Sequence, residues 1–205
     1  MTGRRAAQKE HRRSAMLASA AALFDRQGYT RTTFDEIAAG AGLGVATVYK
    51  YFNSKQGLVA ALLKPSLEAM FQNAQRVVER PHADPAEAMV ALLSAYRNVG
   101  GPNWASRELL RLTVYPGIGN EGSLTELVRE ADFDTQAQIH ELLKRLRRAG
   151  RLNAQLPLKD AAAIVFALLN QHFAMYLSAS HPSFAEIFRR LTRRVRLLFE
   201  DWRAR

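Results

Sequence analysis

The four residues Ala41-Gly42-Leu43-Gly44 are too few and too glycine-rich for anything but a tight turn. Upstream, Thr33-Phe34-Asp35-Glu36 reads as a capping box, and Ile37 follows as the first core residue. The helix begun there lasts only to about Gly40. Downstream, Val45 to Tyr51 reads as a second short helix. Two short helices joined by a glycine-bearing turn of about four residues make a helix-turn-helix, and the rest of the fold has to accommodate that unit.

Helical spacing continues on both sides. Met16, Leu17, Ala20, Ala21, Leu23 and Phe24 give an apolar face to a first helix from about Lys9 to Gln27. Gly28 suits the left-handed position past its end, where Tyr29 can reach back to Phe24. A fourth helix starts at Asn53 or Ser54 and runs to about Glu79 through Pro65, which removes one backbone donor. Breakers then separate five more: about Ala86 to Asn98, Asn103 to Tyr115, Leu124 to Ala149, Leu158 to Ser178 and Ser183 to Trp202. No run alternates as a strand does. The expected fold is all-α, with about nine helices. Residues 1–60 form a helix-turn-helix domain with a basic arm at 1–12, and residues 61–205 form a larger helical bundle.

The chain has 205 residues, of which 48% are hydrophobic and 23% charged, a composition that supports a packed core. It has no cysteine, which excludes disulfides, thiolate metal sites and a thiol nucleophile. The longest apolar run, Ala161 to Leu169, ends at Asn170-Gln171-His172, so no membrane span is expected. Lys and Arg outnumber Asp and Glu by 29 to 19, a net charge of +10, which favours a polyanionic partner and nucleic acid first.

In a helix-turn-helix the second helix enters the major groove with its N-terminal residues at the base edges. Val45 and Ala46 are small and apolar, as contact with a thymine methyl requires. Thr47, Tyr49, Lys50 and Tyr51 carry hydroxyl or ammonium groups suited to phosphates. Lys55 stands in the first turn of the fourth helix, where a cation faces the positive end of the macrodipole. A phosphate at that helix start would account for it.

These residues carry a family resemblance. Residues 13–62 resemble the DNA-binding domain of the TetR family of transcriptional regulators. Met16-Leu17, Ala20, Leu23-Phe24 and Gly28-Tyr29 are similar to its first helix. Thr32-Thr33, Ile37-Ala38, Ala41-Gly42, Thr47-Val48-Tyr49-Lys50-Tyr51-Phe52, Ser54-Lys55 and Leu58 are similar to its helix-turn-helix and the start of its fourth helix. The resemblance implies a homodimeric, Ω-shaped repressor on a palindromic operator in double-stranded DNA, released when a small ligand enters the C-terminal bundle. By position, Thr33, Thr47, Tyr49, Tyr51 and Lys55 would then touch the DNA backbone, and Val45, Ala46 and Lys50 would lie nearest the bases.

Three positions depart from the family pattern. Gly44 replaces the common serine at the recognition-helix cap, Val45 replaces a polar or basic residue, and Gly57 stands where an acid often closes the cap of the fourth helix. The last departure predicts a looser helix start. Arg4, Arg5, Lys9, Arg12 and Arg13 read either as a basic arm on DNA or as a solubilising tail. Six to eight phosphate contacts per dimer would give a log–log salt slope of about −5 to −7.

The last two helices resemble the family's dimer interface. Ala161, Ile164, Val165, Leu168 and Leu169 on one helix, with Phe184, Ile187, Phe188, Leu191, Val195, Leu198 and Trp202 on the other, supply broad apolar faces, a set that also serves the monomer's own core. Effector-binding candidates are Tyr96, Trp104, Arg107, Arg111, Tyr115, Phe133, Phe166, His172, Phe173 and Tyr176. An aromatic-lined pocket of this kind suits a hydrophobic or aromatic ligand; His172 reads first as a satisfied core histidine and second as a ligand-orienting group. No nucleotide-binding glycine fingerprint, hydrolase elbow or zinc-helix motif is present, so neither an enzyme nor a cofactor is expected. The reading is a cytoplasmic regulator, associated with the nucleoid when bound to DNA. The alternatives are a basic protein that coats DNA without sequence preference, and a family member that activates transcription or senses a protein partner.

Overall fold

The computed structural model describes residues 2–97, 107–114, 122–181 and 183–204, with only the main chain described at Thr2, Arg97, Arg107, Glu108 and Val114. Among the described residues there are nine helices. They are α1 (Thr2–Gln27), α2 (Phe34–Gly40), α3 (Val45–Phe52), α4 (Lys55–Glu79), α5 (Pro85–Arg97), α6 (Arg107–Val114), α7 (Ser123–Arg148), α8 (Leu158–Ser178) and α9 (Phe184–Trp202). The one β-type pairing described is an isolated bridge between Leu152 and Arg203.

The chain packs as two compact units, Met1–Ser66 with Pro102–Val128, and Leu67–Gly101 with Arg129–Arg205. The first break falls within α4, one residue after Pro65. The core of the first unit holds Met16, Phe24, Ile37, Val48 and Leu58, all fully or almost fully buried. Helices of seven and eight residues are too short to persist alone. Burial of Ile37 and Val48 holds α2 and α3 in place, at about 1.5–3 kcal/mol for each such side chain.

α1 begins at Thr2, not at about Lys9. Arg4, Arg5, Ala6, Ala7 and Gln8 are good helix formers with no breaker among them, so the helix runs on without an apolar face to announce it. At its other end Gly28 has φ +83°, its N–H donates to the Phe24 carbonyl at 3.0 Å, and the Tyr29 ring lies 5.7 Å from that of Phe24.

The second unit is built on Met89, Leu92, Ile139, Leu142, Leu143, Val165, Val195 and Phe199. α5 starts at Pro85, whose missing N–H costs nothing at a first helical position. Asp84 caps it, its Oδ1 accepting from the N–H groups of Ala86 and Glu87. Two ion pairs join this end of α5 to α9: Arg196 with Glu87 at 2.6 Å and Arg203 with Asp84 at 2.7 Å. Deeper in the unit, the nearly buried Tyr96 hydroxyl donates to Gln138 Oε1 at 2.9 Å, and Gln138 Nε2 donates to the Phe71 carbonyl at 3.0 Å.

α8 differs from its reading in one respect. An 18-residue window of it averages a hydropathy of 1.4, so by length and composition alone it could cross a membrane. Asn170-Gln171-His172 end the uninterrupted apolar run without lowering that average enough. Only 28% of the window is buried within the single chain.

Candidate nucleic-acid interface

The helix-turn-helix closes through local bonds. Thr33 N–H donates to Glu36 Oε2 at 2.8 Å, and Glu36 N–H donates to Thr33 Oγ1 at 3.3 Å, the reciprocal capping box. Hydrogen bonds to the Glu36 carboxylate, first from the Gln27 side chain and then from the Thr33 backbone and hydroxyl, hold its pKa below the usual range. At the far end of α2, Gly42 has φ +65°, a conformation glycine adopts without strain. Its N–H donates to the Ala39 carbonyl at 3.1 Å, and the next N–H, of Leu43, donates to the Ala38 carbonyl at 2.9 Å. That pair of bonds is a Schellman stop, and it reverses the chain into α3.

α3 packs on α2, and its Val48 and Phe52 are buried. Its opposite side presents Ala46, Tyr49 and Lys50, all exposed. Tyr49 is 54% exposed yet held in place, its ring edge-on to Phe34 with centroids 4.6 Å apart. Val45, Thr47 and Tyr51 are half-buried at the flanks. The Tyr51 hydroxyl reaches the Lys9 carbonyl of α1 at 3.4 Å. Thr33 is exposed, and its hydroxyl takes part in the α2 cap. Gly44 caps α3 with no side-chain bond.

Lys55 has a partner that its sequence position does not reveal. Its ammonium lies 3.0 Å from the Tyr29 carbonyl, 2.9 Å from that of Thr32 and 3.4 Å from that of Thr30, and 4.5 Å from the centre of the Tyr29 ring. The charge at the start of α4 is therefore held by loop carbonyls. The α4 start is also well fastened, against the looser one expected. Ser54 Oγ accepts from the Gly57 N–H at 3.0 Å. A Cβ at position 57 would lie 2.3 Å from the Phe52 carbonyl oxygen, so the close approach of these two backbones requires glycine.

The effector-binding candidates are dispersed. Trp104 and Tyr115 lie outside the described residues, as does the side chain of Arg107. Arg111 is exposed on α6 in the first unit, whereas Tyr96, Phe133, Phe166, His172, Phe173 and Tyr176 belong to the second. Phe133 is 72% exposed on α7, and Phe166 packs against the core. Tyr176 meets Phe184 edge-on at 5.1 Å, and Phe173 is half-buried. His172 is buried with both ring nitrogens occupied: Nδ1 is 2.6 Å from the Leu168 carbonyl and Nε2 is 3.1 Å from the Arg194 guanidinium. A guanidinium only donates, so Nε2 accepts and Nδ1 carries the proton to Leu168. A cleft of about 530 Å³ opens instead between α5 and α9, lined by Asp84, Ala86, Glu87, Arg196, Glu200 and Arg203. It is charged, and none of the effector candidates lines it.

Two short helices, a Schellman turn and a solvent-facing second helix together have the geometry of the helix-turn-helix class. Residues 16–62 match the model for bacterial regulatory proteins of the tetR family. Over this segment the chain is similar to TetR-family DNA-binding domains. It is 30% identical over 106 residues to the HTH-type transcriptional regulator EthR of Mycolicibacterium smegmatis, a match covering 51% of this chain and 49% of EthR. It is 36% identical over 90 residues to the HTH-type transcriptional repressor KstR2 of Mycobacterium tuberculosis, covering 44% of each. The chain thus spans about half the length of these curated relatives. Along nearly its whole length it shares the fold of the transcriptional regulator FadR from Bacillus subtilis, solved in complex with stearoyl-CoA. The TM-score is 0.68 at 16% identity, covering 92% of this chain and 98% of FadR.

Proposed function

We propose that the protein is a homodimeric, sequence-specific transcriptional repressor that leaves a palindromic operator when a small hydrophobic or aromatic ligand binds. The observation that carries this reading is α3. A short helix, fixed from behind by Val48 and Phe52, turns Ala46, Tyr49 and Lys50 to solvent in the arrangement that a major groove accepts. Val45, Ala46 and Lys50 read bases, and Thr33, Thr47, Tyr49 and Tyr51 hold phosphates. Lys55 contributes by fixing the loop that carries Thr33, and it adds a phosphate contact where its ammonium leaves a carbonyl. Residues 1–60 serve as the DNA-binding domain and 61–205 as the effector and dimerisation domain.

Dimerisation through α8 and α9 is supported by apolar surface on both helices. Ile164 is 45% and Leu197 is 64% exposed, and only 28% of the apolar window of α8 is buried in the single chain. A second copy of the chain covers this surface, not a bilayer, and the protein works in the cytoplasm, where the chromosome is. The effector is hydrophobic or aromatic and binds within residues 61–205; the FadR neighbour was solved with stearoyl-CoA, which carries a long acyl chain. Neither a cofactor nor a chemical step is part of this reading. Ligand binding shifts the population toward dimers whose recognition helices no longer match half-sites about 34–36 Å apart. A coupling of about 1–3 kcal/mol weakens binding roughly 5–150-fold.

The test is competition followed by release. The purified chain is bound to a selected duplex and challenged with excess unrelated DNA, and then with a panel of apolar and aromatic compounds. Retention against competitor, two chains per duplex, and release by a subset of compounds are expected. Binding that competitor removes in proportion to its mass would leave the coating reading in its place.

A further inference from the structure

We propose that the first three turns of α1 form a second DNA-contact surface, which lies on the phosphate backbone just outside the half-site read by α3. This rests on the DNA-binding reading above. From Met16 onward, the inward face of α1 is apolar and buried at Met16, Ala20, Leu23 and Phe24. At 3.6 residues per turn the same face, followed back toward the start of the helix, passes through Arg13, Arg12, Lys9 and Arg5. Arg13 is half-buried and the other three are exposed. The helix keeps its facing but outruns the core, and the face changes there from apolar to basic.

The position of this overhang is fixed by the Tyr51 hydroxyl, which donates to the Lys9 carbonyl at 3.4 Å. The end of the recognition helix therefore abuts α1 at residue 9. From that point α1 runs about 10 Å further to Thr2, at 1.5 Å per residue. A duplex seated on α3 has its adjoining backbone within reach of Arg5, Lys9 and Arg12. The placement does nothing for the helix itself, since α1 opens with arginines and has no acid in its first turn. The nearby acid, Glu10, lies off the basic face and sits 3.7 Å from Arg13, leaving the stripe cationic. Continuity with α3 and charge complementarity select duplex phosphates as the occupant.

The experiment compares the full chain with its Arg5→Gln/Lys9→Gln/Arg12→Gln variant, glutamine having similar helix propensity. Each is titrated, between 50 and 200 mM salt, on two duplexes carrying the selected site. One is trimmed at the outer edges of the half-sites, and the other extends about ten base pairs beyond each. Wild type should bind the extended duplex more tightly and with a steeper log–log salt slope. The slope should change by about 0.9 per added phosphate contact, up to about 5 for six cations in a dimer. The variant should treat the two duplexes alike, with the same preferred sequence and the same circular dichroism as wild type. If the variant fails to fold, the wild-type comparison carries the test. Wild type indifferent to flank length, or a variant that keeps the full gain, would overturn the inference. So would basic-face-dependent binding to anionic phospholipid vesicles in place of a flank effect. Wild type with no preferred site at all would overturn the DNA-reading function beneath it, a separate and recognisable outcome.

Discussion

The Lys55 ammonium, at the first residue of α4, lies 2.9 Å from the carbonyl oxygen of Thr32 in the loop between α1 and α2. With Tyr29 on the same ammonium, one lysine ties the start of α4 to the segment that presents the α2 cap. Hydrogen bonds to charged groups contribute about 1.5–3 kcal/mol. Lys55→Ala should lower stability by about that amount in urea denaturation, and should weaken DNA binding in parallel. An unchanged urea midpoint with lost DNA affinity would make Lys55 a phosphate contact alone.

Gly57→Ala tests the closeness of α3 and α4. Inside a helix this change ordinarily stabilises by about 0.5–1 kcal/mol. Here the new Cβ meets the Phe52 carbonyl oxygen at 2.3 Å, and backbone cannot move aside cheaply. A net loss of about 1–3 kcal/mol is expected, as for other overpacked sites. Thermal unfolding gives the sign, and a stabilised variant would refute the close approach.

His172 and Arg194 form a coupled pair. Arg194→Ala strips the buried Nε2 of its donor, which should cost about 1–3 kcal/mol. His172→Leu in the same chain removes the orphaned acceptor and should recover part of that loss. A double-mutant cycle in urea reads the coupling, and simple additivity would show that the pair contributes nothing.

The Arg196–Glu87 ion pair gives a small pH dependence. The Arg196 side chain holds the Glu87 carboxyl below its usual pKa. A carboxyl depressed in the folded state adds stability above its unfolded pKa, and this is lost as pH falls through the folded value. Both partners are largely exposed, so the effect stays within about 1 kcal/mol. Glu87→Gln should therefore be slightly less stable than wild type at neutral pH, with the gap closing below about pH 4. A gap that widened with acid would contradict the assignment.

What sequence made legible is local. Thr33 and Glu36 cap one another across three residues, Phe24 meets Tyr29 across five, and Gly42 is set by the turn it occupies. Such partners fall within one window, so residue type and spacing are enough. Lys55 reads from sequence as a cation at the wrong end of a helix, but its carbonyl partners are 23–26 residues away and cannot be read from spacing. Arg194 stands in the same relation to His172, 22 residues on. The helix from Thr2 to Gln8 escaped because helical periodicity is read from apolar residues, and its stripe is basic. The effector candidates follow from residue type, which does not say which way a ring points. Phe133 faces solvent while Phe166 turns to the core.

In the proposed function the exposed face of α3 reads a sequence. Its most direct test is selection from random duplex DNA by the full chain, repeated with Lys50→Ala, which alters that face without touching the core. An enriched inverted repeat, with half-site centres about one helical turn apart and a base preference altered by Lys50→Ala, is the expected result. No enriched sequence, with binding that varies only with salt, would contradict it.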